Sequence, residues 1–320
     1  MKTTLVTGAN GQIGSELVDA LRRRAGAEAV VGLDLQPADS GQGPHIAGDV
    51  RDKALLREAI ATHNVGTVYH LASLLSATGE QHPDRAWDVN MNGLKHVLDL
   101  AREHDLQLFW PSSIAVFGPA TPRHDTPQET VLNPTTMYGV TKRSGELLCR
   151  YYHRRHAVDV RSLRYPGLIS HQTEPGGGTT DYAVDMYRAA AAGVPYTCYL
   201  RPDTRLPMMY MPDAIRATLA LMEAAPNALS VRESYNLTAF SFSAEELATH
   251  LRERAADGFS VSYAPDGRQA IADNWPASIN DSTARADWNW QPEYTLAAMT
   301  DDMMAHLPTP DAANTAPQHA

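Results

Sequence analysis

The chain of 320 residues has few cysteines and no long apolar segment. Two thiols, Cys149 and Cys198, are too few for a disulfide framework or a cysteine-rich zinc site. We expect both side chains to be buried inside the protein, and we expect the protein to occupy a reducing, cytoplasmic compartment. No apolar run reaches the length of about 18 residues that a membrane-spanning helix needs, which argues against a transmembrane protein. A strand-like run begins within a few residues of Met1, and we therefore expect no signal peptide.

Positive charge is in the minority, with 27 lysines and arginines against 37 acidic residues and a formal net charge of −10. Proteins that bind nucleic acid or anionic membranes through phosphate groups need a basic face. We therefore expect neither nucleic acid nor a membrane among the partners. The composition, 43% hydrophobic and 20% charged, is that of a globular protein with one large domain or two unequal ones.

Short apolar segments alternate with segments of helical spacing through the first half of the chain. The pattern predicts strands at 3–7, 29–33, 65–71, 106–110 and 158–165, and helices at 13–21, 55–60, 87–101 and 138–156. Strands that are apolar throughout are typical of a parallel sheet covered on both faces. The predicted fold class is therefore α/β, a doubly wound parallel sheet of the Rossmann type with right-handed crossovers.

The alternation ends after Tyr165, and a glycine-rich loop follows at 176–178. Beyond it the pattern predicts a strand at 259–263 and helices at 182–192, 212–224 and 243–255, the last of which begins with a Ser243/Glu246 capping box. We expect 1–165 and about 207–240 to form the doubly wound domain, and about 166–206 and 241–307 to form a smaller, interleaved α/β substrate domain. Residues 308–320 are expected to be a disordered tail.

Three glycines follow the first predicted strand at three-residue intervals, immediately before a helix. Glycines let the backbone turn sharply and approach a pyrophosphate, and the helix N-terminus supplies N–H donors. The motif predicts a dinucleotide site, although a glycine-rich turn without a ligand is the alternative that the motif alone leaves open. The residues predicted to contact the cofactor here are Gly8, Asn10, Gly11, Gln12, Ile13 and Gly14.

The second predicted strand ends at Asp34, followed by Leu35. A carboxylate at this point accepts hydrogen bonds from both hydroxyls of an adenosine ribose and repels a 2′-phosphate, so we expect NAD rather than NADP. Asp49 is placed to reach the adenine amine, and the next residue, Val50, is also predicted to contact the cofactor. The alternative for Asp49 is the N-cap of the next helix, a role that Asp52 fills equally well.

The third predicted strand ends in Leu71, Ala72 and Ser73, where a small alanine permits close passage of the cofactor. Asn90, on the following helix, is a weaker candidate for the same ligand. A buried asparagine that hydrogen-bonds backbone groups is an equal alternative for this position. All four residues are candidate contacts of the cofactor.

Tyr138 and Lys142 lie four residues apart, so the phenol and the ammonium share one face of a predicted helix. Ser113 follows the preceding strand, where ligands of doubly wound sheets bind, so we expect the three to meet near the nicotinamide. A cation about 5 Å away at an effective dielectric near 20 contributes roughly 3 kcal/mol, which lowers the pKa of a phenol by about 2 units. Tyr138 is then predicted to remove a hydroxyl proton, while Ser113 hydrogen-bonds the same oxygen.

Several motifs together resemble the extended short-chain dehydrogenase/reductase family, which includes nucleotide-sugar epimerases. They are the segment 7–14, Asp34, Asp49, the segment 113–118 and the Tyr138/Lys142 pair. The resemblance spans about residues 1–240, and the serine that lies 25 residues before the tyrosine in that family matches Ser113 rather than Ser112. It implies NAD as the cofactor and a homodimer formed by the helices around 92–104 and 138–156.

A closer resemblance, over nearly the whole chain except the tail, is to the branch of this family formed by the short-chain L-threonine 3-dehydrogenases. It is carried by the segments 74–77, 165–169, 175–182, 206–211, 273–276 and 278–279. It implies NAD-linked oxidation of the L-threonine β-hydroxyl to 2-amino-3-oxobutanoate, and it assigns Tyr165 and Leu168 to the cofactor site. No metal is expected, because His153 and His156 lie among arginines without an acidic or thiolate partner.

The carboxylate and ammonium of threonine need polar partners. The triglycine at 176–178 can expose backbone N–H groups, and hydroxyl side chains follow it and also lie on the loop after the third strand. We therefore expect the segment 176–180 to be a substrate-contacting lid rather than a mobile connector. The predicted substrate contacts are Ser76, Ser113, Tyr138, Gly178, Thr179 and Thr180. Asp181 either contacts the ammonium or caps the next helix, and Trp275 either shields the site or anchors the core.

Two other functions remain as alternatives. A nucleotide-sugar epimerase or dehydratase on the same scaffold would need cationic side chains for a second pyrophosphate, and only Arg201 and Arg205 form a close pair after Tyr165. A non-catalytic protein that senses NAD and binds a partner is less favoured, because it has no need of a serine, a tyrosine and a lysine in catalytic positions.

Overall fold

The computed structural model describes residues 2–37, 43–173 and 176–308. The strands are β1 (Thr3–Thr7), β2 (Val30–Asp34), β3 (His45–Ala47), β4 (Val65–His70), β5 (Gln107–Phe109), β6 (Ser112–Ser113), β7 (Val160–Arg161), β8 (Leu163–Tyr165), β9 (Gly167–Ile169), β10 (Pro195–Cys198), β11 (Arg205–Tyr210), β12 (Tyr235–Asn236), β13 (Phe240–Ser243) and β14 (Ser260–Tyr263). The helices are α1 (Gln12–Ala25), α2 (Lys53–Thr62), α3 (Ser76–Gln81), α4 (Pro83–Trp87), α5 (Gly93–His104), α6 (Met137–His156), α7 (Tyr182–Ala192), α8 (Met211–Glu223), α9 (Ala244–Arg252), α10 (Gly267–Ala272), α11 (Ser282–Trp288) and α12 (Leu296–His306).

Six strands form a central sheet in the order β3-β2-β1-β4-β5-β7, and all neighbouring pairs are parallel. The chain first builds β1, β2 and β3 outward on one side and then β4, β5 and β7 on the other. The order of a doubly wound sheet reverses at its centre, here between β1 and β4, and ligands bind beyond the carboxyl ends of those strands. The predicted fold class is therefore confirmed, and the reversal places the candidate site beside the paired ends Thr7 and His70.

Helices cover both faces of this sheet, which explains why its strands are apolar throughout. On one face α2, α5 and α6 pack against it through buried side chains such as Leu56 and Leu98. On the other face α1 and α8 pack against it through residues such as Leu17 and Ala217. A third buried cluster joins α7, α9 and α12 with β11 and β13. Both cysteines are free and buried, as predicted.

In the described part of the chain, three small sheets lie outside the central one. β6, β8 and β12 pair in parallel, β10 and β14 pair in parallel, and β11 pairs in parallel with β9 but antiparallel with β13. The strands β8 and β9, which follow one another directly, belong to two different small sheets. The domain boundaries given above stay a prediction.

The ends of the helices follow local hydrogen bonding. The Asp52 carboxylate accepts the N–H groups of Ala54 and Leu55 and so caps α2, and the Ser243/Glu246 capping box predicted from the sequence begins α9. The first helix differs, because its N-cap is Gly11 and no side chain caps it within the described part of the chain. None of the described helices has the length and apolar character needed to cross a membrane.

Two predicted elements are divided in the structure. The helix expected at 87–101 consists of α4, a π-helical turn at Asp88–Asn92 and α5, and α3 precedes it without having been predicted. The strand expected at 158–165 is divided at Ser162 into β7 and β8, which pair in different sheets. Apolar periodicity carries no signal for such bends, because both halves remain buried. The predicted tail lies outside the described residues except for Pro308.

Candidate active site

A turn that begins and ends with glycine, Gly8 and Gly11, connects β1 to α1. Gly8 adopts a φ of 71°, in the left-handed region, and a Cβ atom there would lie 2.7 Å from the backbone nitrogen of Ala72. A Cβ atom on Gly14 would lie 2.0 Å from the carbonyl oxygen of Gly8. Real Cβ atoms do not approach so closely, so only glycine fits both positions. The turn therefore brings bare backbone against the end of β4.

The N-terminus of α1 has unused hydrogen-bond donors. Its N-cap, Gly11, provides no side-chain acceptor, and the first turn contains no acidic residue. The amide nitrogen Nε2 of Gln12 is buried without a partner among the described residues. Buried donors are normally satisfied, and a helix N-terminus attracts an anion. These donors fit the pyrophosphate of a dinucleotide.

A cavity of about 210 Å³ extends from this turn along the ends of β1, β2 and β4. The predicted cofactor residues that line it are Gly8, Gly11, Asp34, Asp49, Val50, Leu71, Ala72 and Ser73. The Asp34 carboxylate accepts the backbone N–H of Asn10 at 3.0 Å, and the Asn10 amide donates to the carbonyl of Gln36, so Asn10 shapes the cavity wall without lining it. An acidic side chain at this end fits a ribose with a free 2′-hydroxyl.

Asp49 is paired with Arg51 inside the same cavity. The Arg51 guanidinium donates to both carboxylate oxygens of Asp49 and reaches Asp88 at 3.0 Å, and the resulting hydrogen bonds hold the pKa of Asp49 below its usual range. Because Asp52 caps α2, the alternative N-cap role of Asp49 is wrong. Arg51 and Arg85 also line the cavity and were missed in the sequence, because neither belongs to a recognisable motif.

Asn90 lies in the π-helical turn and does not line either part of the site. Its amide oxygen accepts the backbone N–H of Leu74 at 2.8 Å and the Ser73 hydroxyl at 3.1 Å, while its nitrogen donates to the Leu74 carbonyl and the Thr141 hydroxyl. The side chain therefore has the second role considered for it, satisfying the backbone beside the cavity. Its contact with the cofactor stays a prediction.

A second cavity of about 140 Å³ continues from the first, and Leu71 and Ser73 line both. It brings together residues from the ends of β4 and β6, the start of α6 and the loop before α7. The predicted residues that line it are Gln12, Ile13, Leu71, Ser73, Ser76, Ser113, Tyr138, Lys142, Tyr165, Leu168, Gly178, Thr179 and Thr180. The Tyr165 hydroxyl is hydrogen-bonded to Thr218, so this group is not available to a ligand in the cavity.

Ser113, Tyr138 and Lys142 converge in this second cavity. Ser113 and Tyr138 both line it, and the Lys142 ammonium lies 5.5 Å from the centre of the Tyr138 ring. The predicted lowering of the tyrosine pKa is wrong for the protein by itself: burial raises the pKa of Tyr138 to about 12, and the Ser113 hydrogen bond offsets only part of this. A buried phenol resists ionisation unless positive charge is brought to it.

The environment of Lys142 explains why its charge does not achieve the predicted effect. Its side chain is 2% exposed, donates to the Pro111 carbonyl at 2.7 Å and lies 4.7 Å from the centre of the Trp110 ring. Burial lowers its pKa to about 7, so that the ammonium is only partly charged at neutral pH. Sequence spacing shows that a lysine is near, but it does not show the loss of solvation.

Ser112 also lines the cavity, but its hydroxyl is engaged in a buried ion pair. Its hydroxyl donates to the Glu146 carboxylate at 2.7 Å, and the Arg164 guanidinium binds both oxygens of that carboxylate, at 2.8 and 3.0 Å. Glu146 follows Tyr138 and Lys142 at four-residue steps on α6, a spacing that would have revealed it in the sequence. The ion pair therefore fixes the end of β6, and with it Ser113, against the face of α6 that carries Tyr138 and Lys142.

The loop before α7 closes the cavity with hydroxyl side chains. The Thr179 side chain is 1% exposed, and its hydroxyl is buried without a partner among the described residues. The backbone N–H groups of Gly177 and Gly178 do not point to a substrate as predicted, because both donate to the Asp181 carboxylate, at 2.9 and 2.7 Å. The carboxylate folds the loop back on itself. The hydroxyls, rather than these two amides, are the polar groups available in this wall.

Asp181 and Trp275 each combine features of the alternatives considered for them. Asp181 makes no side-chain cap on α7 and instead braces the glycine loop, but it also lines the cavity. Burial raises its pKa, and the hydrogen bonds from Gly178 and Gly177 oppose this. Trp275 belongs to a buried core cluster and at the same time lines the cavity, so it both anchors the core and shields the site.

Comparisons with known proteins agree with this architecture. A Staphylococcus saprophyticus protein named as an uncharacterized epimerase/dehydratase is 48% identical over 95% of this chain and 96% of its own length. The holo form of a GalE-like L-threonine dehydrogenase from Cupriavidus necator is 54% identical, with a TM-score of 0.93 over 96% of this chain and 100% of that one. A monomeric L-threonine 3-dehydrogenase from a metagenome is 48% identical, with a TM-score of 0.92 over 95% of this chain and 98% of that one.

The family assignment rests on both the sequence and the site. Residues 4–237 match the model of the NAD dependent epimerase/dehydratase family. This segment includes the glycine turn, Asp34 and the converging serine, tyrosine and lysine. The chain therefore belongs to the NAD dependent epimerase/dehydratase family.

Proposed function

We propose that this protein is an NAD-dependent oxidoreductase that converts the β-hydroxyl of L-threonine to a ketone, giving 2-amino-3-oxobutanoate. The observation that carries the proposal is the match along the whole chain, at 54% identity, to a solved L-threonine dehydrogenase. The family membership makes NAD the cofactor. The Asp34 carboxylate, which lines the cavity of about 210 Å³ beside the glycine turn, agrees with this cofactor.

The residues of the second cavity supply the proton chemistry. Bound NAD provides a hydride acceptor and a positive charge at its nicotinamide. Tyr138 removes the hydroxyl proton as the carbonyl forms, and Ser113 hydrogen-bonds the same oxygen and fixes its direction. Lys142 stabilises the phenolate when it is charged. Because burial lowers its pKa to about 7, this stabilisation depends on pH near 7. The Glu146–Arg164 pair holds these groups in register.

The lining of the second cavity favours an amino acid over a nucleotide sugar. Among the described residues that line it, Lys142 is the cation, and its ammonium donates to the Pro111 carbonyl, so no arginine is available there for a second pyrophosphate. Ser76, Thr179 and Thr180 offer hydroxyl groups, and Asp181 offers a carboxylate, for the ammonium and carboxylate of threonine. The segment 176–180 acts in this proposal as the wall that closes over the substrate.

A panel of substrates tests the proposal directly. The protein is mixed with NAD and, separately, with L-threonine, D-threonine, L-serine and UDP-glucose, and NADH formation is followed by absorbance. We expect the highest kcat/KM with L-threonine and no reaction with UDP-glucose. Conversion of UDP-glucose, with or without net NADH, would support the epimerase alternative. Tight NAD binding with no alcohol oxidised would support the non-catalytic alternative.

We also propose a homodimer in a reducing, cytoplasmic compartment. An apolar stripe on α6, formed by Val140, Leu147 and Tyr151, is 38–53% exposed, and Trp87 at the end of α4 is 44% exposed. Such side chains are suited to packing against a second copy, as the helices at 92–104 and 138–156 were predicted to do. Light scattering should give twice the chain mass of 34.9 kDa. A monomer mass, as for the metagenome relative named as monomeric, would contradict the dimer.

A further inference from the structure

Two histidines and an aspartate from distant parts of the sequence meet outside the active site. His171 lies directly after β9, while Asp302 and His306 lie four residues apart in the last turns of α12. One potential ligand atom of each residue lies within 4.8 Å of the others. The two imidazole rings are stacked, with 4.4 Å between their centres. None of the three residues lines either cavity described above.

Hydrogen bonds fix the tautomers of both rings. The Tyr210 hydroxyl donates its single proton to Asp302 at 2.5 Å, so Nδ1 of His171, at 2.8 Å from the same oxygen, must be the donor in that contact. Nδ1 of His306 lies 2.8 Å from the Asp302 carbonyl oxygen, which can only accept. Both rings therefore carry their proton on Nδ1 and leave the lone pair of Nε2 available. Metal-binding histidines are oriented in this same way by a second partner.

The three side chains have suitable ligand atoms for a metal ion, and the His306 ring can move to bind one. Two imidazoles and a carboxylate are suitable ligands for a borderline transition metal, and an acidic and a histidine residue at i and i+4 share one helix face. Tetrahedral bonds of about 2.0–2.2 Å place ligand atoms about 3.4 Å apart. Nδ1 of His306 now lies 3.6 Å from the Asp302 carboxylate, so the ring must turn to present Nε2 to an ion. The His306 side chain is 53% exposed, and its ring can turn to do so without disturbing the core.

We propose that His171, Asp302 and His306 form a binding site for a divalent transition-metal ion such as Zn²⁺, with Tyr210 as a positioning residue. Three protein ligands leave at least one coordination position for water. The site connects the segment that leads toward the loop at 176–181 with the C-terminal helix. It goes beyond the proposed oxidation, which requires no metal. No sequence motif indicated it, because Asp302 lies 131 positions after His171.

Titration calorimetry of ZnCl₂ into the untagged full-length protein tests the site, in a buffer that does not bind metal. We expect one Zn²⁺ per chain, and we expect Mg²⁺ not to compete because it prefers oxygen ligands and octahedral geometry. His306→Ala and His171→Ala should each raise the Kd by tenfold or more, since even an outer-shell change costs about 10–100-fold. Tyr210→Phe should raise it about tenfold, because it removes the hydroxyl that orients His171.

A matched control and a folding check make every result decisive. His104→Ala, at the exposed end of α5, should leave the Zn²⁺ affinity unchanged. The melting temperature without metal shows whether each variant is folded, and the exposed His306 carries the test if the substitution at His171 destabilises the protein. The proposal is wrong if the parent protein binds no stoichiometric Zn²⁺, or if it binds equally well after His306→Ala. Threonine oxidation is not needed for either readout.

Discussion

Replacing the charged Glu146 by a neutral residue is expected to destabilise the fold more than any other charge-removing substitution near the active site. The Glu146 side chain is fully buried, and Arg164, its partner, is 2% exposed. The carboxylate accepts four hydrogen bonds, from Ser112, from Arg143 and two from Arg164, all between 2.7 and 3.1 Å. Glu146→Gln keeps the shape of the side chain but leaves a buried guanidinium without a counter-charge.

The expected cost follows from this burial. Breaking a buried ion pair by removing one partner costs about 3–5 kcal/mol, because the remaining charge stays desolvated. An exposed pair is worth about 0–1 kcal/mol. The control is therefore Glu223→Gln, which removes the partner of Arg24 on the surface, where the two side chains are 68% and 52% exposed.

Urea unfolding of the two variants and the parent protein measures this difference, with free energies compared at equal m values. Glu146→Gln should lower the free energy of unfolding by about 3–5 kcal/mol, and Glu223→Gln by less than about 1 kcal/mol. Because Ser112 adjoins Ser113, kcat should also fall in the buried variant. A loss for Glu146→Gln no larger than for the surface control would refute the reasoning.

Three further predictions concern the cofactor turn, the cofactor preference and pH. Gly14→Ala should lower the free energy of unfolding by about 1–3 kcal/mol and weaken NAD binding, because the new Cβ would lie 2.0 Å from the Gly8 carbonyl oxygen. Gly267→Ala is the control: it has open space around it and should leave the urea midpoint and the Kd for NAD unchanged. Asp34→Arg should shift the ratio of kcat/KM values from NAD toward NADP, and an unchanged ratio would contradict the placement of Asp34. Burial lowers the pKa of Lys142 to about 7, against about 10.4 in the unfolded chain. Between pH 7 and about 10.4 the unfolded state therefore binds more protons than the folded state, so the contribution of Lys142 to the free energy of unfolding rises with pH. The slope of unfolding free energy against pH from 7 to 9 should therefore be smaller in Lys142→Met; equal slopes would show that this pKa is not lowered.

Local motifs made much of the site predictable. The glycine turn, Asp34 and the Tyr138/Lys142 pair each combine a short spacing with a position at a strand end, and a doubly wound sheet brings all strand ends to one edge. The structure brings Ser113 to the same cavity as Tyr138 and Lys142. The α/β fold was predictable for the same reason, because buried parallel strands and amphipathic helices differ in their periodicity.

Features that depend on tertiary burial were not predictable. The pKa of Tyr138 rises instead of falling, because desolvation of both partners outweighs a charge that spacing alone suggests. Asp181 takes the two glycine N–H groups that were expected to face substrate, which depends on the conformation of one loop. The π-helical turn that directs Asn90 toward Leu74 cannot be recognised from the spacing of apolar residues.

The role of Tyr138 as the general base is tested most directly by the kcat of Tyr138→Phe with L-threonine and NAD, measured together with the Kd for NAD. Loss of a general base should lower kcat by about 10²–10⁴-fold, while NAD binding is retained. Tyr151→Phe, on the same helix but outside both cavities, serves as the control and should leave kcat unchanged. A kcat for Tyr138→Phe equal to that of the control would contradict the account.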